Sequence, residues 1–159
     1  MGRDEILKTF TPKMENLLLI LHELQNRNPN HFIQKEDIEA VAKYLNTTMA
    51  AIYGVVRYYT MFSDKPRGKR IVRLCVSPVC RMKGAQGILE ALKEELDVLP
   101  GGTTEDGEFT LEFTQCLGQC QQSPVMMVDG DNYGELTAEK ARQTIRDIGD
   151  AETGPGGEE

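Results

Sequence analysis

Cys75-Val-Ser-Pro-Val-Cys80 and Cys116-Leu-Gly-Gln-Cys120 are the two segments that contain all four cysteines of this 159-residue chain. Thirty-five residues separate Cys80 from Cys116, and both histidines, His22 and His31, lie far upstream. Thiolate sulfur is a soft, electron-donating ligand that suits iron–sulfur clusters and zinc, and less often cuprous copper. The pairing of every thiol therefore predicts that the two segments together hold one four-thiolate inorganic centre.

The spacing of the cysteines within each segment indicates which kind of inorganic centre they could hold. The intervals C-x4-C and C-x3-C suit a two-iron cluster, in which each iron takes two thiolates and two bridging sulfides. Structural zinc more often has the tighter C-x2-C spacing, although its range extends to four intervening residues. Gly84 and Gly118 also allow backbone N–H groups to approach the sulfurs, which favours the cluster. A zinc site stays open as an alternative, as do redox-active thiols or disulfides, although neither pair has the C-x2-C spacing of thiol-exchange enzymes.

Composition places the chain among ordinary globular proteins. Hydrophobic residues make up 40% and charged residues 27%, and the net charge is −7. The acidic balance and the lack of a basic patch interleaved with aromatic residues argue against nucleic-acid binding. The longest apolar run, 17–21, is far shorter than the roughly 18 residues of a membrane span, and the N-terminus lacks the layout of a secretory signal. We therefore expect a cytoplasmic protein.

Apolar periodicity predicts helices in the first part of the chain. The apolar residues of the first helix recur at spacings of three and four, and Asn28-Pro29-Asn30 ends it. A second helix buries one face, and Thr48 belongs to the hydroxyl-rich segment that caps a third. The inward-facing residues of the three helices are Met14, Leu17, Leu18, Leu21 and Leu24, then Ile38, Val41, Ala42 and Leu45, then Ile52, Val55, Val56 and Tyr59. Helices this short must pack together to be stable.

The polar segment 63–68, with Pro66 and Gly68, predicts a connector to a region of mixed pattern. In that region, residues 70–76 and 124–129 have strand-like apolar runs, and residues 109–113 alternate with period two. Residues 84–96 form an amphipathic helix, and a last helix begins after Thr137 as N-cap and ends at Gly149. The predicted order is therefore βαββα, with residues 129–132 as a turn.

This order places the first cysteine pair in the loop between a strand and a helix, and the second pair just beyond another strand. Both loops then lie at one end of the sheet, so the four thiols converge without a long excursion of the chain. The convergence of these two loops is the geometric expectation on which the function depends.

The cysteine segments and their flanks resemble a known family. CVSPVCRMKGA (75–85) and CLGQCQQSPVMMV (116–128) are similar to the two cluster loops of the thioredoxin-like [2Fe–2S] ferredoxin family. YGVVRYYTMF (53–62) resembles the helical domain of that family, and YGELT (133–137) resembles the segment before its final helix. The resemblance covers roughly residues 10–149, and the paired-cysteine loops are its most specific part.

The resemblance implies an α+β protein with an N-terminal helical bundle (1–66) and a thioredoxin-like [2Fe–2S] domain (67–149). The Gly- and Glu-rich composition of residues 150–159 predicts a disordered acidic tail. The resemblance also implies that Cys75 and Cys80 hold one iron and that Cys116 and Cys120 hold the other. Many members have a Gly-Leu-Ala-Pro run after the last cysteine, where this chain has Gln-Gln-Ser-Pro (121–124). The proline is kept, and two amides are added near the cluster.

For function, the resemblance implies an electron-transfer subunit of a multi-subunit NADH-linked oxidoreductase, with no complete active site on this chain. The chain has neither a G-x-G-x-x-G motif after a strand nor a P-loop, which argues against binding of a nicotinamide or flavin. The resemblance implies that FMN and NAD bind to an NADH-binding flavoprotein partner, with further iron–sulfur subunits beyond it. Pro124, before a predicted strand, is a candidate cis proline, and the aromatic residues Tyr58, Tyr59 and Phe62 are either helical core or a docking surface.

Overall fold

The computed structural model of the chain describes residues 2–150. These residues form two compact units that divide between Lys69 and Arg70. The first unit is helical and the second combines helices with a four-stranded sheet. The predicted α+β class, with helices before a thioredoxin-like domain, is confirmed. Nine residues of the predicted tail, 151–159, lie outside the described part, and Asp150 is the last residue of the final helix.

Within residues 2–69, the first unit is built from α1 (Arg3–Thr9), α2 (Leu17–Arg27), α3 (Lys35–Tyr44) and α4 (Met49–Tyr58). A short 3-10 turn, Met14–Asn16, precedes α2, so the predicted first helix begins later than its apolar pattern indicates. The pattern also missed α1, which buries only two residues, Ile6 and Leu7. Thr48 caps α4 as predicted, because its hydroxyl oxygen accepts from the Ala51 N–H at 3.2 Å.

Most of the predicted apolar residues form the core of the first unit, but Met14 and Tyr59 are exposed, and Ile20, which was not among them, is fully buried. Ile20, Leu21, Leu24, Val41 and Ile52 are fully buried within one cluster. The segment after α4 is attached to this core through polar contacts. Gln25 donates to the Met61 carbonyl and accepts from the Ser63 N–H, both at 2.9 Å. The aromatic residues near this segment divide between core and surface. Phe62 is buried, whereas Tyr58 is 79% exposed.

The second unit contains β1 (Arg70–Cys75), α5 (Pro78–Met82), α6 (Ala85–Leu96), β2 (Phe109–Thr114), β3 (Met126–Val128), β4 (Asp131–Tyr133) and α7 (Ala138–Asp150). The strand order in the sheet is β2-β1-β3-β4. β1 pairs in parallel with β2 and antiparallel with β3, and β3 pairs antiparallel with β4. One apolar face of this sheet packs with α6 and α7 around Leu74, Leu92, Leu111, Met126 and Ala141.

Two elements of the second unit differ from the sequence prediction. The predicted turn at 129–132 instead leads into β4, a three-residue edge strand whose polar residues gave no apolar signal. The predicted loop between the first strand and helix contains α5. Its signal was present, since Ser77 at the N-cap position and Pro78 at the first helical position are typical of a helix start. Thr137 caps α7 as predicted, accepting from the Lys140 N–H.

None of the helices among residues 2–150 is long and apolar enough to cross a membrane.

Gly134 connects the sheet to α7 at a point of close backbone approach. A Cβ atom there would lie 2.6 Å from the Gln122 Cβ and 3.0 Å from the Gln122 carbonyl oxygen. Because the neighbouring Glu135 N–H donates to that carbonyl, the two segments cannot separate without losing a hydrogen bond. Position 134 therefore requires glycine. The close approach and the hydrogen bond together keep the turn at 120–122 against the segment before α7.

We predict that Gly134→Ala lowers the free energy of unfolding by about 1–3 kcal/mol, the usual cost of overpacking. Gly87→Ala is the matched control, since a Cβ at this exposed position of α6 would meet nothing within 4 Å. That control should gain about 0.4–1 kcal/mol through the smaller entropy of the unfolded chain. Urea unfolding of both variants measures the difference, and equal stability of the two would contradict the close approach.

Candidate metal centre

The parallel pairing of β1 with β2 brings the two cysteine segments together. In this register Cys75, the last residue of β1, lies opposite Thr114, the last residue of β2. Cys116 follows Thr114 by two residues, and the Val76 N–H donates to the Thr114 carbonyl. The strand β3 begins at the same edge, where the Cys75 N–H donates to the Val125 carbonyl. All four cysteines thus belong to segments that meet at one edge of the sheet, as the sequence predicted.

The environment of the thiols differs between the two segments. Cys75 and Cys80 are each only 2% exposed, and they pack with Ala85 in a small apolar cluster. Cys80 lies within α5 and not in a loop. Cys116 is exposed in the loop after β2, and Cys120 is half-buried as the first residue of a 3-10 turn. Leu117 packs against the cluster of buried cysteines, so the second segment lies directly against the first.

Within each segment the two sulfurs are neighbours. The Sγ atoms of Cys116 and Cys120 lie 3.4 Å apart. Two thiolates on one tetrahedral metal, at a metal–sulfur distance of about 2.3 Å, lie about 3.8 Å apart. In the other segment the Cys75 and Cys80 side chains hydrogen-bond to each other. Cys116 and Cys120 therefore lie close to the separation that one metal ion requires.

Backbone N–H groups point at the sulfurs. The Gly118 N–H lies 3.4 Å from the Cys116 Sγ. Burial raises the pKa of the Cys75 thiol, but hydrogen bonds outweigh this effect and the pKa is lowered. The donors are the Ser77 N–H and hydroxyl, the Cys80 thiol and the Leu117 N–H. Such donors stabilise negative charge on sulfur, as an anionic metal–thiolate centre needs.

The pKa shifts of Cys80 and Cys120 indicate that the cysteines influence one another. Burial and the hydrogen bond to Cys75 raise the pKa of Cys80. The hydrogen bond and the charge of Cys116 raise the pKa of Cys120, and the charges of Cys80 and Cys75 add to this effect. Ionising all four thiols without a cation would place like charges together at the edge of the sheet. Positive metal ions remove this repulsion, so the donor set fits a metal centre.

The thiols of the described residues are grouped as two pairs. Among residues 2–150, no three or more His, Cys, Asp or Glu side chains surround a single point suited to one metal ion. A two-iron cluster takes two thiolates on each iron and completes both irons with bridging sulfide, so two adjoining pairs fit it.

The two added amides and the proline also lie at this edge. Gln121 and Gln122 are both exposed, and Gln122 is held against Gly134 and Glu135. The Ser123–Pro124 peptide bond is cis, so the candidate cis proline is confirmed. Sequence reasoning missed the donors Ser77 and Leu117. Ser77 is a local neighbour of Cys75, whereas Leu117 approaches Cys75 only through the pairing of β1 with β2.

The sequence profile of thioredoxin-like [2Fe–2S] ferredoxins matches residues 3–149, nearly the whole chain. The chain belongs to the thioredoxin-like [2Fe–2S] ferredoxin family. This membership supports a [2Fe–2S] cluster as the cofactor and confirms the resemblance of the cysteine segments.

Relatives within the thioredoxin-like [2Fe–2S] ferredoxin family are subunits of oxidoreductases. An NADH-quinone oxidoreductase subunit from Aquifex aeolicus (strain VF5) is 38% identical over 129 residues, which cover 81% of this chain and 79% of the relative. The HndA subunit of the NADP-reducing hydrogenase from Solidesulfovibrio fructosivorans is 30% identical over 141 residues, covering 89% and 81%. The chain is therefore homologous to subunits of multi-subunit, nicotinamide-linked oxidoreductases.

A solved structure shows the same fold. The crystal structure of an NAD+-reducing [NiFe]-hydrogenase in the air-oxidized state contains a chain that superposes with a TM-score of 0.71 at 18% identity. The match covers 86% of this ferredoxin-family chain but only 23% of the hydrogenase chain. At this identity the likeness establishes the fold alone.

We predict that the left-handed conformation of Gly118, with φ of 75°, limits what this position tolerates. Nothing lies within 4 Å of a Cβ added there, so only the backbone conformation opposes a side chain. Gly118→Ala should cost about 1–2 kcal/mol of stability, whereas Gly118→Asn should cost less because asparagine adopts this conformation more readily. Urea unfolding gives the order. An alanine variant as stable as glycine would show that the loop does not need this conformation.

Proposed function

We propose that this chain is the electron-transfer subunit of a multi-subunit NADH-linked oxidoreductase and carries one [2Fe–2S] cluster. Cys75 and Cys80 would hold one iron, and Cys116 and Cys120 the other. The observation that carries the proposal is the meeting of two thiol pairs at one edge of the sheet, with 3.4 Å between the Sγ atoms of Cys116 and Cys120. When bound, such a cluster accepts or releases one electron at a time.

In this proposal the protein residues bind the cluster and shield part of it from water. Burial of Cys75 and Cys80 keeps one side of the centre away from water, and the exposed Cys116 leaves the other side accessible to a partner. The N–H groups of Ser77, Leu117 and Gly118 stabilise negative charge on the sulfurs, and with a cluster bound they would influence its reduction potential. In this proposal the chain carries electrons, and a second protein provides the site at which the substrate reacts.

The number of electrons that NADH releases indicates which kind of partner this subunit needs. NADH gives up a hydride, which carries two electrons, so a flavin must stand between NADH and a one-electron centre. We propose that FMN and NAD bind to a partner flavoprotein subunit, with which this chain exchanges single electrons, and that further iron–sulfur subunits belong to the same assembly. The names of the relatives, one NADH-linked and one NADP-linked, support this proposal. We place the assembly in the cytoplasm, without direct membrane insertion of this chain.

Anaerobic purification tests the cofactor. We predict a red-brown protein with about two irons and two labile sulfides per chain. A colourless protein with one zinc per chain, unfolded by chelators, would instead make it a zinc-stabilised interaction module. A metal-free protein with a reactive thiol of low pKa would make it a thiol oxidoreductase.

A cysteine substitution tests the ligand set. We predict that Cys116→Ser loses or distorts the cluster, with a changed visible spectrum, while most of the helical circular-dichroism signal remains. Gln115→Ser is the matched control, because it changes the exposed neighbouring residue to the same side chain and should leave the spectrum unchanged. An unaltered spectrum in the Cys116 variant would exclude this thiol as a ligand.

The parent assembly is identified by its other subunits. Affinity purification of the tagged chain from its own cells, followed by mass spectrometry, should recover a flavin-containing subunit in stoichiometric amount. Recovery of the chain alone, with its cluster intact, would contradict membership in such an assembly.

A further inference from the structure

Two basic residues beside Cys80 are unpaired. Arg81 and Lys83 are exposed, and neither side chain forms an ion pair or hydrogen bond with another residue in the described range 2–150. All other basic residues between Arg70 and Asp150 have such a partner: Arg70, Arg73, Lys93, Arg142 and Arg146 form ion pairs, and Lys140 donates to the Gly134 carbonyl. The two cations next to the candidate cluster are therefore the exception in this unit.

The same short helix exposes apolar side chains. Met82 is 88% exposed and Val79 is 40% exposed, although Cys80 between them is buried. We call Val79, Arg81, Met82 and Lys83 the α5 surface. Exposed methionine and arginine side chains are enriched at protein–protein interfaces, where they form an adaptable apolar centre and its charged surroundings.

The charge around the α5 surface is opposite to that of the whole chain. Residues 76–84 contain two basic residues and no acid, and residues 113–122 contain no charged residue at all. These two segments adjoin, because Leu117 packs against the cluster formed by Cys75, Cys80 and Ala85. The chain as a whole has a net charge of −7. A positive, partly apolar area thus lies next to the thiols of an acidic protein, which favours an acidic partner at this place.

We infer that the α5 surface is the docking surface for an acidic patch with an apolar centre on the partner flavoprotein subunit. This inference rests on the proposed function and specifies the chemistry of its partner. Arg81 and Lys83 would pair with carboxylates of the partner, and Met82 would enter an apolar recess between them. Docking there places the partner against α5, which adjoins the segment that contains the exposed Cys116.

The first experiment changes the charge of the α5 surface. The double variant Arg81→Gln/Lys83→Gln should bind the flavin-containing subunit that co-purifies with the tagged chain about tenfold more weakly at an ionic strength of about 0.05 M. Near 1 M salt, where the Debye length falls to about 3 Å, the difference should disappear. Both side chains are exposed, so the iron content and visible spectrum of the variant should match those of the unchanged chain.

The matched control is Lys93→Gln/Arg142→Gln, which removes the same two charges from the same unit. Lys93 lies about 12 Å along α6 from its first residue, Ala85, and Arg142 pairs with the neighbouring Glu94. This control should change affinity by less than about twofold, since exposed ion pairs contribute little and lie outside the docking surface. Equal losses in both double variants would indicate an effect of total charge and overturn the inference.

The second experiment observes Met82 directly. Hydroxyl-radical oxidation followed by mass spectrometry should modify Met82 in the isolated cluster-loaded chain and should modify it at least about threefold less in the complex. Leu99, which is 69% exposed, is the internal reference and should react equally in both. Protection of Met82 in the chain alone as its concentration rises would assign the surface to a second copy and overturn the inference.

The outcomes separate the inference from the proposed function. Full-strength binding by the Arg81→Gln/Lys83→Gln variant, with Met82 oxidised equally in complex and free chain, overturns the docking surface and leaves the carrier role intact. A cluster-loaded chain that binds no flavin-containing subunit overturns both. Weaker binding of that variant alone, together with protection of Met82, supports the docking surface.

Discussion

The parallel hydrogen-bonded pairing of β1 with β2 is the interaction on which the site depends. It places Cys75 opposite Thr114, so that the loop with Cys116 begins where the first cysteine segment begins. The antiparallel pairing of β1 with β3 brings the chain back to the same edge, two residues after Pro124. A shift of either register by one residue would turn Cys75 to the other face of the sheet. The convergence of the thiols is thus a property of the sheet.

The candidate centre combines a buried half with an exposed half. Cys75 and Cys80 lie in an apolar environment, and N–H donors offset the cost of negative charge there. Cys116 is exposed to solvent, on the segment that the sheet holds against the buried pair. The short helix α5 belongs to both parts, since it buries Cys80 and exposes Met82. Under the two proposals above, one five-residue helix would contribute both to ligand binding and to partner recognition, and the two functions would be adjacent.

The fold could be predicted where an apolar pattern extends over several turns. The faces of α2, α3, α4, α6 and α7 followed from the spacing of their leucines, isoleucines and valines. Short elements gave too little pattern: α1 buries two residues, and β4 consists of Asp131, Asn132 and Tyr133. The strand β4 exists because its backbone pairs with β3, and this pairing depends little on its side chains. The helix α5 was missed although the sequence contains a signal for it, since Ser77 and Pro78 mark its start.

The sequence by itself determined the family of the protein and limited a bound centre to one with thiolate ligands. Four thiols in two short segments are the candidate ligands. Only the tertiary structure decided that the pairs adjoin, that the Leu117 N–H reaches Cys75, and that Arg81 and Lys83 are left without partners among residues 2–150. The reason is distance along the chain. Arg142 finds Glu94 across 48 residues through the packing of α6 against α7, and no local pattern records such a contact or its absence.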